Sequence, residues 1–180
     1  MAFKSRLTFL GFLAVATTTR VQAQCPTLLW SDEFDGTALD ETKWTPMLGD
    51  GCDLGICGWG NNEWQSYTDS ADNIEVSDGT LKIRATQNGD TYASARLRSI
   101  DKADFDMSKP SRIEARIKVP KNSQGLWPAF WMMPSLVEMN TWPKGGEIDI
   151  MEFIGREPNM VRTHDMWRER GILLGLAILY

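Results

Sequence analysis

The 180 residues carry 24 acidic against 19 basic side chains, a formal charge of −5, and 42% hydrophobic residues. An acidic chain is poorly suited to hold nucleic acid or an anionic membrane by electrostatics, and it suits a neutral substrate. Three cysteines beside one histidine, His164, at no metal-ligand spacing also argue against a zinc centre.

In chain order, Lys4 and Arg6 precede an apolar run from Leu7 to Ala16, and Val21-Gln22-Ala23 offers small residues for cleavage. This pattern predicts a secretory signal peptide over residues 1–23, because an apolar run of about ten residues is half of what a bilayer span requires. The leader takes Lys4, Arg6 and Arg20 with it, leaving 157 residues whose formal charge is −8. The product is expected to be secreted, extracellular and monomeric. In an oxidising compartment Cys52 and Cys57 are the natural disulfide pair, which leaves Cys25 without an assigned partner.

From Leu28 to Ala115 the signals are short strands and turns, without sustained helical periodicity. Ile74-Glu75-Val76 and Leu81-Lys82-Ile83 alternate apolar with polar residues across Ser77-Asp78-Gly79, which predicts a hairpin. Ile113, Ala115, Ile117 and Val119 alternate with Arg112, Glu114, Arg116 and Lys118, predicting a strand with one buried and one wet face. The expected fold is all-β, a single-domain sandwich or jelly roll.

All eight tryptophans lie beyond the leader, and several sit beside Gly or Pro rather than inside plain strand patterns. The stretches WGNNE (59–63) and GLWPAFW (125–131) mix aromatic rings with glycines and amides. Sugars want that combination: aromatic faces cover the apolar C–H surface of a pyranose, while Asn and Glu answer its hydroxyls. The other reading of any one of these tryptophans is a core position.

The stretch GEIDIMEFIG (146–155) places Glu147, Asp149 and Glu152 among Ile148, Ile150, Met151 and Phe153. Such apolar company predicts a buried or half-buried strand on which Glu147 and Asp149 share a face. Glu152 breaks that parity, so it joins them only if a β-bulge around Ile150 and Met151 adds one residue. Paired carboxylates in an aromatic cleft point to glycoside hydrolysis, with one acid protonating the leaving oxygen and a second carboxylate at the anomeric carbon.

At these residues the chain resembles glycoside hydrolase family 16, in the bulged E-x-D-x-x-E form of its laminarinase-like endo-β-1,3-glucanases. Further matching blocks are WSDEF (30–34), WGNNEWQSYT (59–68), ARLRS (95–99), SRIEARIKVP (111–120) and GLWPAFWMMP (125–134). The resemblance implies a concanavalin A-like jelly roll acting on β-glucan by a retaining double displacement. It implies Glu147 as nucleophile, Glu152 as acid and then base, and Asp149 tuning the pair. The charges of Glu147 and Asp149 should help Glu152 keep its proton. It also places Asn62, Arg96, Trp127, Trp131 and Trp142 along the substrate cleft. Trp127 and Trp131, four apart, would share a strand face, and Arg96 has the alternative of pairing with an acid on the sheet. No cofactor is expected. Some family members bind calcium near the position of Glu33, but the second half of that site is not recognisable in this sequence.

The resemblance runs from Leu28 to about Arg162, so the catalytic part is read as 24–162 and 163–180 as an aberrant tail. Residues 171–179 show no strand alternation, and the run is too short to span a membrane. A sandwich of this kind commonly takes about 200 to 250 residues, so the domain is expected to be incomplete, with unpaired strand edges. A glucan transglycosylase and an inactive or glucan-binding product remain the alternatives.

Overall fold

The computed structural model describes residues 27–106, 111–121, 124–135, 142–143, 145–166 and 173–179. The expected leader, Met1 to Ala23, and Cys25 lie outside the described residues. Twelve strands are described: β1 (Thr45–Met47), β2 (Gln65–Tyr67), β3 (Ile74–Ser77), β4 (Thr80–Ile83), β5 (Thr86–Asn88), β6 (Thr91–Ser94), β7 (Arg96–Arg98), β8 (Asp104–Asp106), β9 (Ala129–Pro134), β10 (Glu147–Glu152), β11 (Arg162–Met166) and β12 (Leu173–Leu179). The only helical elements among the described residues are two short 3-10 turns, Cys52–Leu54 and Cys57–Gly60. Cys52 and Cys57 form the expected disulfide between them.

The largest sheet runs in the order β1-β7-β12-β9-β10-β11, with β8 also paired to β12. A three-stranded sheet, β2-β6-β5, and the β3-β4 hairpin complete the described strands. The hairpin expected from the sequence is present, with Asp78 at φ 55° and Gly79 at φ 66°. Positive φ at both central residues is what a two-residue turn needs to match the strand twist.

Alternation decides which side of the large sheet each residue faces. Leu97 on β7 and Phe130 and Met132 on β9 join Trp44, Ile83 and Ala95 in one buried cluster. Ile148, Ile150 and Met151 of β10 pack onto it, as do Ile74 and Leu81 from the hairpin. Each fully buried member of the cluster, such as Leu97 or Met132, contributes on the order of 1.5–3 kcal/mol. The segment around Trp30 is pinned to the same cluster: the Trp44 indole N–H donates to Asp32 at 2.8 Å, and the Trp30 and Trp44 rings meet edge-on at 5.4 Å. The intervening residues, Arg96 on β7, Trp131 on β9 and Asp149 on β10, belong to the opposite face.

Two expectations need correction. Residues 111–120 form no strand and are largely exposed, with Ile117 at 42% of its full area, although Ile113 still packs against the core cluster. Residues 173–179, read as lacking strand character, form β12 and sit inside the large sheet. Leu174 to Leu179 pair with Pro134 to Ala129 of β9, and Ala177 to Leu179 pair with Arg98 to Arg96 of β7. The eight-residue run Ile172 to Leu179 is about one strand long, and periodicity alone does not separate it from a buried helix segment. Residues 162–166, most of them assigned to the tail, likewise form β11.

Candidate active site

The three acids of GEIDIMEFIG lie on β10, between β9 and β11. Ile148 and Asp149 pair with Met132 and Trp131 of β9, after which the register shifts so that Met151 and Glu152 pair with Phe130 and Ala129. On the other edge, Asp149 faces His164 and Glu152 faces Arg162, again with two residues of β10 opposite one of β11. Ile150 is therefore the extra residue of a β-bulge. Glu152 now shares a rung with Ala129, which lies on the same side of β9 as Trp131, so it joins Asp149 and Glu147 on one face. The bulge lies where strand parity requires it.

Two indoles bind the outer carboxylates. Trp142 donates its Nε1–H to Glu147 Oε2 at 2.6 Å, and Trp127 donates to Glu152 Oε1 at 3.0 Å. Both rings are well exposed, at 52% for Trp142 and 38% for Trp127, so each leaves a face open toward solvent. Trp127 precedes β9 rather than lying on it, so it and Trp131 are not strand neighbours.

Burial is the main cause that raises all three acids above their ordinary range. Asp149 is pushed up to about 7, by burial first and then by the charge of Glu147 and the hydrogen bond it shares with that residue. That hydrogen bond holds Glu147 down, as does the one from Trp142. Asp149 near neutrality thus keeps a proton that it donates to Glu147, favouring a charged Glu147. Glu152 is raised by burial and then by the charge of Asp149, while Trp127 opposes. Desolvation, more than the neighbouring anions invoked from sequence, is the main cause that raises Glu152.

Arg96 occupies the floor beside these acids, 3% exposed. Its guanidinium carbon lies 4.4 Å from the centre of the Trp59 ring and 4.8 Å from that of Trp131. Burial lowers its pKa, and the Tyr67, Glu63 and Glu147 charges act the other way. A cation sandwiched between desolvated indoles is attracted to each face by up to about 2 kcal/mol. Its Nε and the Trp131 Nε1 are both buried without a hydrogen-bond partner, a cost of about 1–3 kcal/mol each. Trp131, itself 7% exposed, thus supports Arg96 from beneath.

Asn62 is exposed, at φ 57°, in the turn that leads to β2. The structure does not join it to the carboxylates. Residues without an expected role also surround Arg96. The Tyr67 hydroxyl donates to Glu63 Oε2 at 2.6 Å, the Gln65 amide donates to the same oxygen at 2.6 Å, and Trp59 covers Arg96. Gln65 and Tyr67, two apart, share one face of β2, and Glu63 lies just before that strand.

Residues 61–168 match the family described as Glycosyl hydrolases family 16. The chain belongs to that family. It is 37% identical over 161 residues to glucan endo-1,3-beta-glucosidase A1 of Niallia circulans, covering 83% of this chain and 23% of that protein. To the beta-glucanase of Rhodothermus marinus it is 41% identical over 141 residues, 74% of this chain and 46% of the other. The chain thus spans less than half the length of these two curated relatives. Among solved structures it is similar to the laminarinase of Flavobacterium sp. UMI-01, with a TM-score of 0.69 and 27% identity over 85% of this chain and 87% of that one. The all-β jelly roll expected from the sequence is the fold of such family 16 laminarinases.

Proposed function

We propose that this family 16 chain carries the catalytic centre of a secreted, retaining endo-β-1,3(4)-glucanase. The observation that carries the reading is the bulge at Ile150, which turns Glu147, Asp149 and Glu152 to one face with an indole N–H on each glutamate. The names of the relatives, a glucan endo-1,3-beta-glucosidase and a beta-glucanase, support glucan as the substrate.

In this mechanism Glu147, charged through its hydrogen bond with protonated Asp149, attacks the anomeric carbon. Glu152 delivers its proton to the leaving glycosidic oxygen as the old C–O bond breaks. Water then attacks the glycosyl ester, gives its proton to Glu152, and releases Glu147 with the sugar's configuration retained. The exposed faces of Trp127 and Trp142 are suited to cover pyranose rings on either side of the scissile bond.

Product analysis on laminarin tests the proposal. New reducing ends whose first-formed anomer is β are expected. Longer chains without net reducing ends would mean transfer to sugar instead, and binding without any turnover would mean a glucan-binding role. Initial release of the α anomer would overturn the double displacement.

A further inference from the structure

Trp64 is 81% exposed, so its indole adds little to the packing of the fold. It is not isolated. Its ring centre lies 6.2 Å from that of Tyr92, itself 37% exposed, with the two planes inclined at 45°. Tyr92 occupies the middle of a cross-strand row, in register with Gln65 of β2 on one side and Gln87 of β5 on the other. Two amides therefore flank a pair of open aromatic rings.

The chemistry of this small sheet is selective. None of the residues of β2, β5 and β6 is charged, although 24% of the whole chain is. An anionic partner would ask for Lys or Arg here, and a basic one for acids. Aromatic faces beside amides and hydroxyls fit a neutral, hydroxyl-rich chain.

The pair is also continuous with the catalytic centre. Asp149 pairs with Trp131, whose ring stacks on Arg96. Arg96 lies 6.0 Å from the Tyr67 ring, and the Tyr67 hydroxyl accepts a 2.9 Å hydrogen bond from Gln65, the residue in register with Tyr92. A chain of buried side-chain contacts thus ties the strand that carries the carboxylates to the exposed tilted pair.

We propose that Trp64 and Tyr92 form a distal subsite that holds a β-glucan chain several sugars away from the scissile bond. The inclination of the rings suits a polymer whose successive units twist. The subsite rests on the glucanase reading above, and it makes affinity depend on chain length.

Affinity electrophoresis of the whole chain in laminarin gels tests it, with Trp64→Ala, Tyr92→Ala and Trp64→Phe beside the wild type. Trp64→Ala and Tyr92→Ala are expected to weaken binding about 3- to 10-fold, Trp64→Phe to recover most of it, and binding of a laminari-trisaccharide to stay unchanged. Circular dichroism and melting in free solution check that the variants fold, as their exposure predicts. Equal retardation of wild type and both alanine variants overturns the subsite while leaving the glucanase reading intact. Equal loss for trisaccharide and polymer overturns its distal placement. A wild type that laminarin does not retard removes the glucan reading of the cleft, and the subsite with it.

Discussion

The two faces of the large sheet are made by alternate residues of the same strands, yet they are built to opposite specifications. On one side Leu97 and Met132 are fully buried and Phe130 is 2% exposed, each among apolar neighbours. On the other side Arg96, Trp131 and Asp149 are nearly as buried but carry orphaned N–H groups and a carboxyl pushed up to about 7. The first arrangement lowers the free energy of the fold; the second spends some of that gain to keep polar groups desolvated beside the carboxylates. The contrast teaches that a change on the core face should be read in stability, and one on the site face in activity and pH response.

The largest effect that would sharpen this contrast comes from Glu152→Ala. Turnover on natural β-glucan is expected to fall about 100- to 10,000-fold, the usual worth of a positioned general acid, with no loss of melting temperature. Activity should survive on a glucoside whose activated leaving group needs no protonation, and equal loss on both substrates would break the assignment of acid and nucleophile. Met132→Ala on the core face is the converse experiment. Chemical denaturation should show a loss of about 2–5 kcal/mol, while turnover per folded molecule stays close to wild type.

A smaller effect separates the faces by pH. Asp149 retains its proton to about 7 in the fold, whereas its ordinary value is 3.8. Between those values the native state binds more protons than the unfolded chain, so stability is expected to fall as pH rises from 4 to 7 and to level off above 7. Glu147 and Glu152, also raised, add to the same slope. Denaturant titrations of Asp149→Asn across this range should show a visibly shallower decline, and an unchanged slope would break the electrostatic half of the comparison. The smallest effect belongs to a residue off both faces. Ile117→Asp should cost less than about 1 kcal/mol, because Ile117 is 42% exposed; a loss above about 2 kcal/mol would mean that residues 111–120 pair within the sheet.

The bulge was legible because strand parity is a local property: Glu147 and Asp149 agree with it and Glu152 does not. The β3-β4 hairpin and the Cys52–Cys57 bridge were readable for the same reason, since their partners lie within a few residues of each other. The Arg96 sandwich was not, because Trp59 and Trp131 approach it from opposite directions along the chain and only the fold brings their rings together. The two indole donors show the same limit. Tryptophans near the acids were expected in the cleft, but which nitrogen reaches which carboxylate depends on the segments entering β9 and β10. Strand membership itself failed twice, for 111–120 and for 173–179. An alternating pattern states only that a segment could pair, whereas pairing requires an edge to pair with.

That requirement gives the position of β12 a further meaning. A strand offers two edges, and both edges of β9 are occupied, one by β10 and the other by β12. Residues 113–119 lead into β9 through a short connection, so any ladder they formed with it would run antiparallel, which is also the direction of β12. Both segments are seven residues long. With β10 and β12 on its two edges, β9 has no free edge left for Ile113–Val119, whatever the alternation of that segment.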